Sequence, residues 1–159
     1  DTLDGVQGAS FLRSDATDTA SGVITFSNAT ASTSTTTGAV KITGGLGVGG
    51  AIYAGGDVTA YSDERLKDNI ETITNAVNKV DQLRGVTYTR KEDGIASTGV
   101  IAQDVEKVLP QAVTTDEDGM KAVKYGNMVG LLIEAIKEQT ETIKGMQAEI
   151  AELKARLNN

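Results

Sequence analysis

The sequence predicts an α+β fold: a Gly-rich, β-structured N-terminal stub, then a small α/β domain that ends in a long coiled-coil-like helix. Three observations carry this. Residues 1–61 are dominated by Gly, Ser, Thr and Ala, and their only cations are Arg13 and Lys41. Residues 70–125 switch between helix-like and strand-like apolar spacing, broken by Gly and Pro. Residues 128–157 then repeat apolar side chains at three- and four-residue steps with one polar interruption. The boundary is set at Tyr61–Ser62, giving a stub of residues 1–61 and a domain of residues 62–159.

Histidine and cysteine are both absent. This excludes disulfides, thiolate nucleophiles, His- or Cys-based metal sites and every His-containing triad. Acid–base chemistry has to run on Lys, Asp, Glu or Tyr, and no cofactor and no metal is expected. A net charge of −7 lacks the basic footprint of a phosphate-backbone binder, so nucleic acid is not an expected partner. No apolar run approaches the roughly 18 residues of a membrane span and no signal peptide is visible, so membrane insertion is not expected. The chain opens at Asp1 without a methionine and reads as a piece of a longer protein.

In the stub, Gly22-Val23-Ile24-Thr25-Phe26, Val40-Lys41-Ile42-Thr43 and Ala51-Ile52-Tyr53 read as short strands. The low-complexity stretch at 31–37 (ASTSTTT) fits either a disordered linker or a β fibre whose strands bury their apolar groups only against other copies. The three neighbouring strands favour the fibre. Gly45-x-Gly47-x-x-Gly50 matches the dinucleotide-binding pattern by letter, but that motif needs a helix opening at its third glycine. A short strand and another Gly turn follow instead.

After the boundary, Ile70, Ile73, Val77, Val80 and Leu83 predict an amphipathic helix of about three turns stopped at Gly85. Val86–Thr89 and Ser97–Ala102 form a hairpin around Asp93-Gly94. Gln103–Leu109 is a short helix ended by Pro110. Ala112–Thr114 and Lys121–Tyr125 make a second hairpin around Asp118-Gly119. Asp116-Glu117-Asp118-Gly119 is read as an acidic turn, because an EF-hand loop starting at Asp116 would need a glutamate where Asn127 stands. Tyr88 and Tyr125 are expected in the core.

From about Met128 to Leu157 runs one helix. Its apolar series is Val129, Leu132, Ile136, Gln139, Ile143, Met146, Ile150, Leu153, Leu157, a coiled-coil seam with one polar member. At 1.5 Å per residue it would be about 45 Å long, too long to be covered by so small a domain. Oligomerisation through the seam is therefore expected. Glu149 and Lys154 are placed to pair between parallel chains, while the periodicity leaves the number of strands open.

Ser62 and Lys67 are a candidate nucleophile and base. A serine hydroxyl is a weak nucleophile until a base takes its proton, and a lysine must first lose its own. Desolvation inside an interface between chains promotes that loss; Arg65 would help it, and Glu64 or Asp68 would oppose it. Five residues apart, the two do not share a helical face, so the segment must be a turn or loop. The plain reading makes Ser62 a helix cap and Lys67 a solvated charge.

Ser62-Asp63-Glu64-Arg65-Leu66-Lys67-Asp68-Asn69-Ile70 resembles the opening of the intramolecular chaperone auto-processing domain, the endosialidase-type serine peptidase family found at the C-terminus of phage tail fibres and tail spikes. The likeness continues through Gly99–Glu106, Leu109–Val113, Lys124-Tyr125 and Leu131–Glu138, covering residues 62–159. Leu3–Gly8 and Gly44–Val48 also resemble tail-fibre sequence. The resemblance implies a homotrimer in which the domain registers and folds the upstream fibre of the same chain, then releases itself by autoproteolysis. Carried onto this chain, the scissile bond is Tyr61–Ser62, Ser62 is the nucleophile and Lys67 the base, with Asp63, Asn69 and Gln103 as possible supporting residues. It implies a place in the virion tail, assembly in the host cytoplasm, a host surface receptor met through the fibre, and a chaperone fragment absent from the mature virion. Two alternatives stay open: a structural trimerisation tip of a fibre or adhesin that never cuts, and a Ser–Lys hydrolase acting on other substrates.

Overall fold

The computed structural model describes residues 2–3, 6–7, 17 and 19–158. The chain divides into two compact units, Asp1–Ala60 and Tyr61–Asn159.

In the first unit, strand β1 (Thr2–Leu3) pairs antiparallel with β2 (Val6–Gln7), Leu3 opposite Val6. The remaining residues of the Leu3–Gly8 motif lie outside those described. The strands expected at 22–26, 40–43 and 51–53 are not formed in the single chain. The physical reason is hydrogen bonding: a strand needs a neighbour for its amides and carbonyls, and among the described residues no segment of the same chain supplies one there. Val23 and Tyr53 are accordingly 96% and 97% exposed. Local order at 32–38 comes from hydroxyls. Thr37 Oγ1 accepts from the amides of Thr33 (2.8 Å) and Ser34 (3.0 Å), a side-chain turn that competes with strand pairing.

The second unit is α+β. Helix α1 (Ala76–Asp81) is six residues long, where the apolar spacing predicts three turns from Ile70. Asn75, with φ 55° and ψ 39°, is left-handed and ends the helical path just before Ala76. Ile70 is left exposed, whereas Ile73, Val77, Val80 and Leu83 still pack on the core.

Strands β3 (Gly85–Thr89) and β4 (Ala96–Val100) form an antiparallel hairpin running from Gly85 opposite Val100 to Thr89 opposite Ala96. Its turn is held by Gly94 at φ 71°, by Asp93 Oδ1 accepting from the Ile95 amide at 3.0 Å, and by an Arg90–Asp93 ion pair. Helix α2 (Ala102–Val108) follows, and Pro110 opens a 3-10 turn at Pro110–Ala112. Strands β5 (Val113–Thr115) and β6 (Lys121–Val123) make the second hairpin. There Asp116 Oδ1 accepts from the amides of Asp118 (3.1 Å) and Met120 (2.8 Å), so the acidic turn uses this carboxylate to close itself.

Helix α3 (Met128–Leu157) has 30 residues and two apolar faces. One face, Met128, Leu131 and Ala135, joins Ala76 of α1, Val105 of α2 and Ala112 to form the buried core. The other is the heptad seam. Val129, Leu132, Ile136, Ile143, Met146, Ile150 and Leu153 are all between 45% and 62% exposed. A soluble chain does not ordinarily leave so long an apolar stripe open. No helix among the described residues is long and apolar enough to cross a membrane.

Tyr88 and Tyr125, expected in the core, are 42% and 58% exposed. The β3–β4 sheet has only two strands, too few to enclose its aromatic face. Tyr125 leans on Gly99, with its hydroxyl 2.7 Å from where a Cβ there would stand.

Candidate active site

The junction is built by a single tight turn. Asp63 is the N-cap of a 3-10 turn at Glu64–Leu66; its Oδ1 accepts from the Arg65 amide at 2.9 Å. The amides of Leu66 and Lys67 bond back to the carbonyls of Asp63 (3.2 Å) and Glu64 (3.0 Å). Lys67 then leaves the turn extended, at φ −130° and ψ 137°. One 3-10 turn thus folds the chain back on itself and closes the five-residue gap. Lys67 Nζ donates to Ser62 Oγ at 2.9 Å and to the Ser62 carbonyl at 2.8 Å. Ser62 and Lys67 are both exposed.

Arg65 completes the turn. Its Nε donates to Asp63 Oδ1 at 2.9 Å and its Nη2 to Oδ2 at 2.6 Å, a bidentate pair. The Arg65 guanidinium, and then its amide, hold the Asp63 carboxyl below the usual carboxylate range; in return Asp63 raises the guanidinium. Tyr61, on the other side of the Ser62 amide, shares an open, mainly apolar hollow with Leu66, Asp63 and Arg65.

Asn69 sits just past the turn in left-handed conformation (φ 52°), and Gln103 lies in the first turn of α2. Among the described residues neither makes a hydrogen bond to the junction. Next to Gln103, Asp104 accepts from Arg84 Nε at 2.7 Å, tying α2 to the start of β3, and Arg84 holds its carboxyl low. Spacing alone did not show the Asp63–Arg65 fork, although a carboxylate two residues before an arginine in a predicted turn is the signal for it.

Residues 62–114 match the family model described as chaperone of endosialidase. This segment is similar to the endosialidase-chaperone family over about a third of the chain. The match begins at Ser62, the residue on which Lys67 Nζ converges. The chain is also 36% identical over 98 residues to the long tail fiber protein Gp37 of Enterobacteria phage K3, covering 56% of this chain and 8% of that protein. It is 38% identical over 104 residues to Gp37 of Salmonella phage S16 (58% and 14%) and 40% identical over 96 residues to Gp37 of Enterobacteria phage Ox2 (54% and 38%). The chain therefore spans well under half the length of these relatives. The chaperone family is of serine-peptidase type, which gives the Ser62 hydroxyl its interest.

Proposed function

We propose that residues 62–159 are the C-terminal intramolecular chaperone of a phage tail fibre or spike, which brings three chains together and then cuts itself free between Tyr61 and Ser62. The tail-fibre relatives and the family of residues 62–114 support the chaperone role. The single observation that supports the cut is the 2.9 Å contact between Lys67 Nζ and Ser62 Oγ.

Lys67 Nζ takes the hydroxyl proton as Oγ attacks the carbonyl carbon of Tyr61 through a five-membered ring. The C–N bond breaks, the Ser62 nitrogen receives the proton, and the peptide becomes an ester. Water then hydrolyses the ester, leaving a carboxylate on Tyr61 and a free amine and hydroxyl on Ser62. Placing the nucleophile next to the bond it attacks is worth about 7–11 kcal/mol in favourable cases. The enzyme acts once, in cis, on its own chain. Ser62 and Lys67 are solvated in the single chain, so this reading makes the cut depend on assembly, which desolvates the lysine.

The test is expression of the chain with isolation of its trimers. Wild type is expected to give pieces of 61 and 98 residues on denaturing electrophoresis. Ser62→Ala stays whole, and Lys67→Ala slows the cut at least about 100-fold, the usual worth of a general base. Wild-type trimers that stay whole would establish the second reading, a permanent trimerisation tip. The exposure of Ser62 and Lys67 is the observation in its favour.

A further inference from the structure

Asp63 is one residue from Ser62 and the carboxylate nearest to it in sequence. Among the described residues each hydrogen bond of its carboxylate comes from Arg65: the backbone amide and Nε on Oδ1, and Nη2 on Oδ2. The carboxylate lies within electrostatic reach of Lys67. Even so, among the described residues Lys67 Nζ bonds only to Ser62, through Oγ and the carbonyl. Glu64 and Asp68 flank the same turn, and among the described residues neither pairs with Lys67, nor does any charged group from another element.

We propose that Arg65 is a positioning residue for the cut: by holding both oxygens of Asp63 it keeps that carboxylate off Lys67 and leaves Nζ on the Ser62 hydroxyl. The inference rests on the Ser62–Lys67 reading above. A free carboxylate beside Nζ would compete with Ser62 for it and would favour the ammonium form, which cannot accept a proton. Only a guanidinium satisfies both carboxylate oxygens with two parallel bonds in one plane, so lysine is a poor substitute at position 65. The Arg65 side chain is 88% exposed, and an exposed pair contributes little to folding stability. Its loss is therefore expected in the rate of the cut and not in the melting temperature.

The experiment compares wild type, Arg65→Ala, Arg65→Lys and the double variant Asp63→Asn/Arg65→Ala as full chains. Cleavage is followed across a pH series in isolated trimers, with thermal midpoints alongside. Arg65→Ala is expected to cut about tenfold more slowly, with a pH–rate profile displaced to higher pH, since a neighbouring carboxylate favours protonated lysine. Arg65→Lys stays slow. Adding Asp63→Asn restores rate and profile, because asparagine keeps the Oδ1 acceptor for the Arg65 amide while removing the charge. The inference is overturned if Arg65→Ala cuts like wild type, is slowed without a displaced profile, or is not rescued by Asp63→Asn. Ser62→Ala, run in parallel, separates the two levels. Wild-type trimers that stay whole, or Ser62→Ala trimers that are cut, overturn the dyad and this inference together. A Ser62-dependent cut indifferent to Arg65 overturns this inference alone.

Discussion

Glu138 on α3 accepts a 2.8 Å hydrogen bond from the backbone amide of Ala76, the first residue of α1. Its second oxygen accepts from the Val77 amide at 2.9 Å. Asn75, at the N-cap position of α1, makes no capping bond, so the helix is capped from 62 residues away by the helix it packs on. This fixes where α1 starts, and hence the end of the segment that runs from Lys67 to the core.

Glu138→Gln is expected to lower the thermal midpoint in a pH-dependent way. The Val77 amide, then the Ala76 amide, hold the Glu138 carboxyl below the usual glutamate range. Its folded value is the lower one, so its stabilisation is complete above the unfolded value of about 4.3 and is lost as pH falls through the folded value. Thermal midpoints of both proteins measured from about pH 7 to about pH 3 check this: the gap should close in acid. A gap that stays constant across the series would count against the cap.

Leu131→Ala is expected to cost the second unit about 2–5 kcal/mol, the range for deleting a buried leucine side chain. Leu131 is fully buried among Ala76, Val105 and Ala112, in a core with few large side chains to collapse into the space. Urea unfolding in the Ser62→Ala background, expected to keep the chain whole under the proposed cut, gives the value. A loss under about 1 kcal/mol would show that the site refills.

Ile136→Lys/Ile143→Lys puts two charges on the open seam of α3 without touching the core face. Both side chains are about half exposed, so the single chain should fold as before. Like charges facing one another in a coiled coil prevent association. The variant is expected to sediment as a monomer with an unchanged far-ultraviolet spectrum and to remain uncut. A cut monomer would uncouple cleavage from assembly.

The long helix was legible in the sequence because heptad spacing is local and sustained: Met128–Leu157 follows from the apolar series alone. So do the two hairpins, since Asp93-Gly94 and Asp118-Gly119 mark turns whatever packs around them. The first helix was not legible at its start. Ile70 and Ile73 continue the apolar spacing, but a left-handed Asn75 interrupts the backbone, and nothing in the spacing of Ile70–Leu83 records that. The stub strands went unformed for a related reason, because strand propensity in Val23–Phe26 has no effect without a partner edge.

The junction divides in the same way. The sequence by itself narrowed the candidates: with no His and no Cys, a serine and a lysine five residues apart were a candidate pair, and helix geometry excluded a shared helical face. Tertiary structure decided the rest, because hydrogen bonds depend on where the backbone turns and not on residue type. The turn capped by Asp63 brings Lys67 Nζ to 2.9 Å from Ser62 Oγ, and Arg65 closes on Asp63 beside it. Packing also separated the two faces of α3, covering Leu131 and leaving Ile136 open, since a small core has room for only one of them.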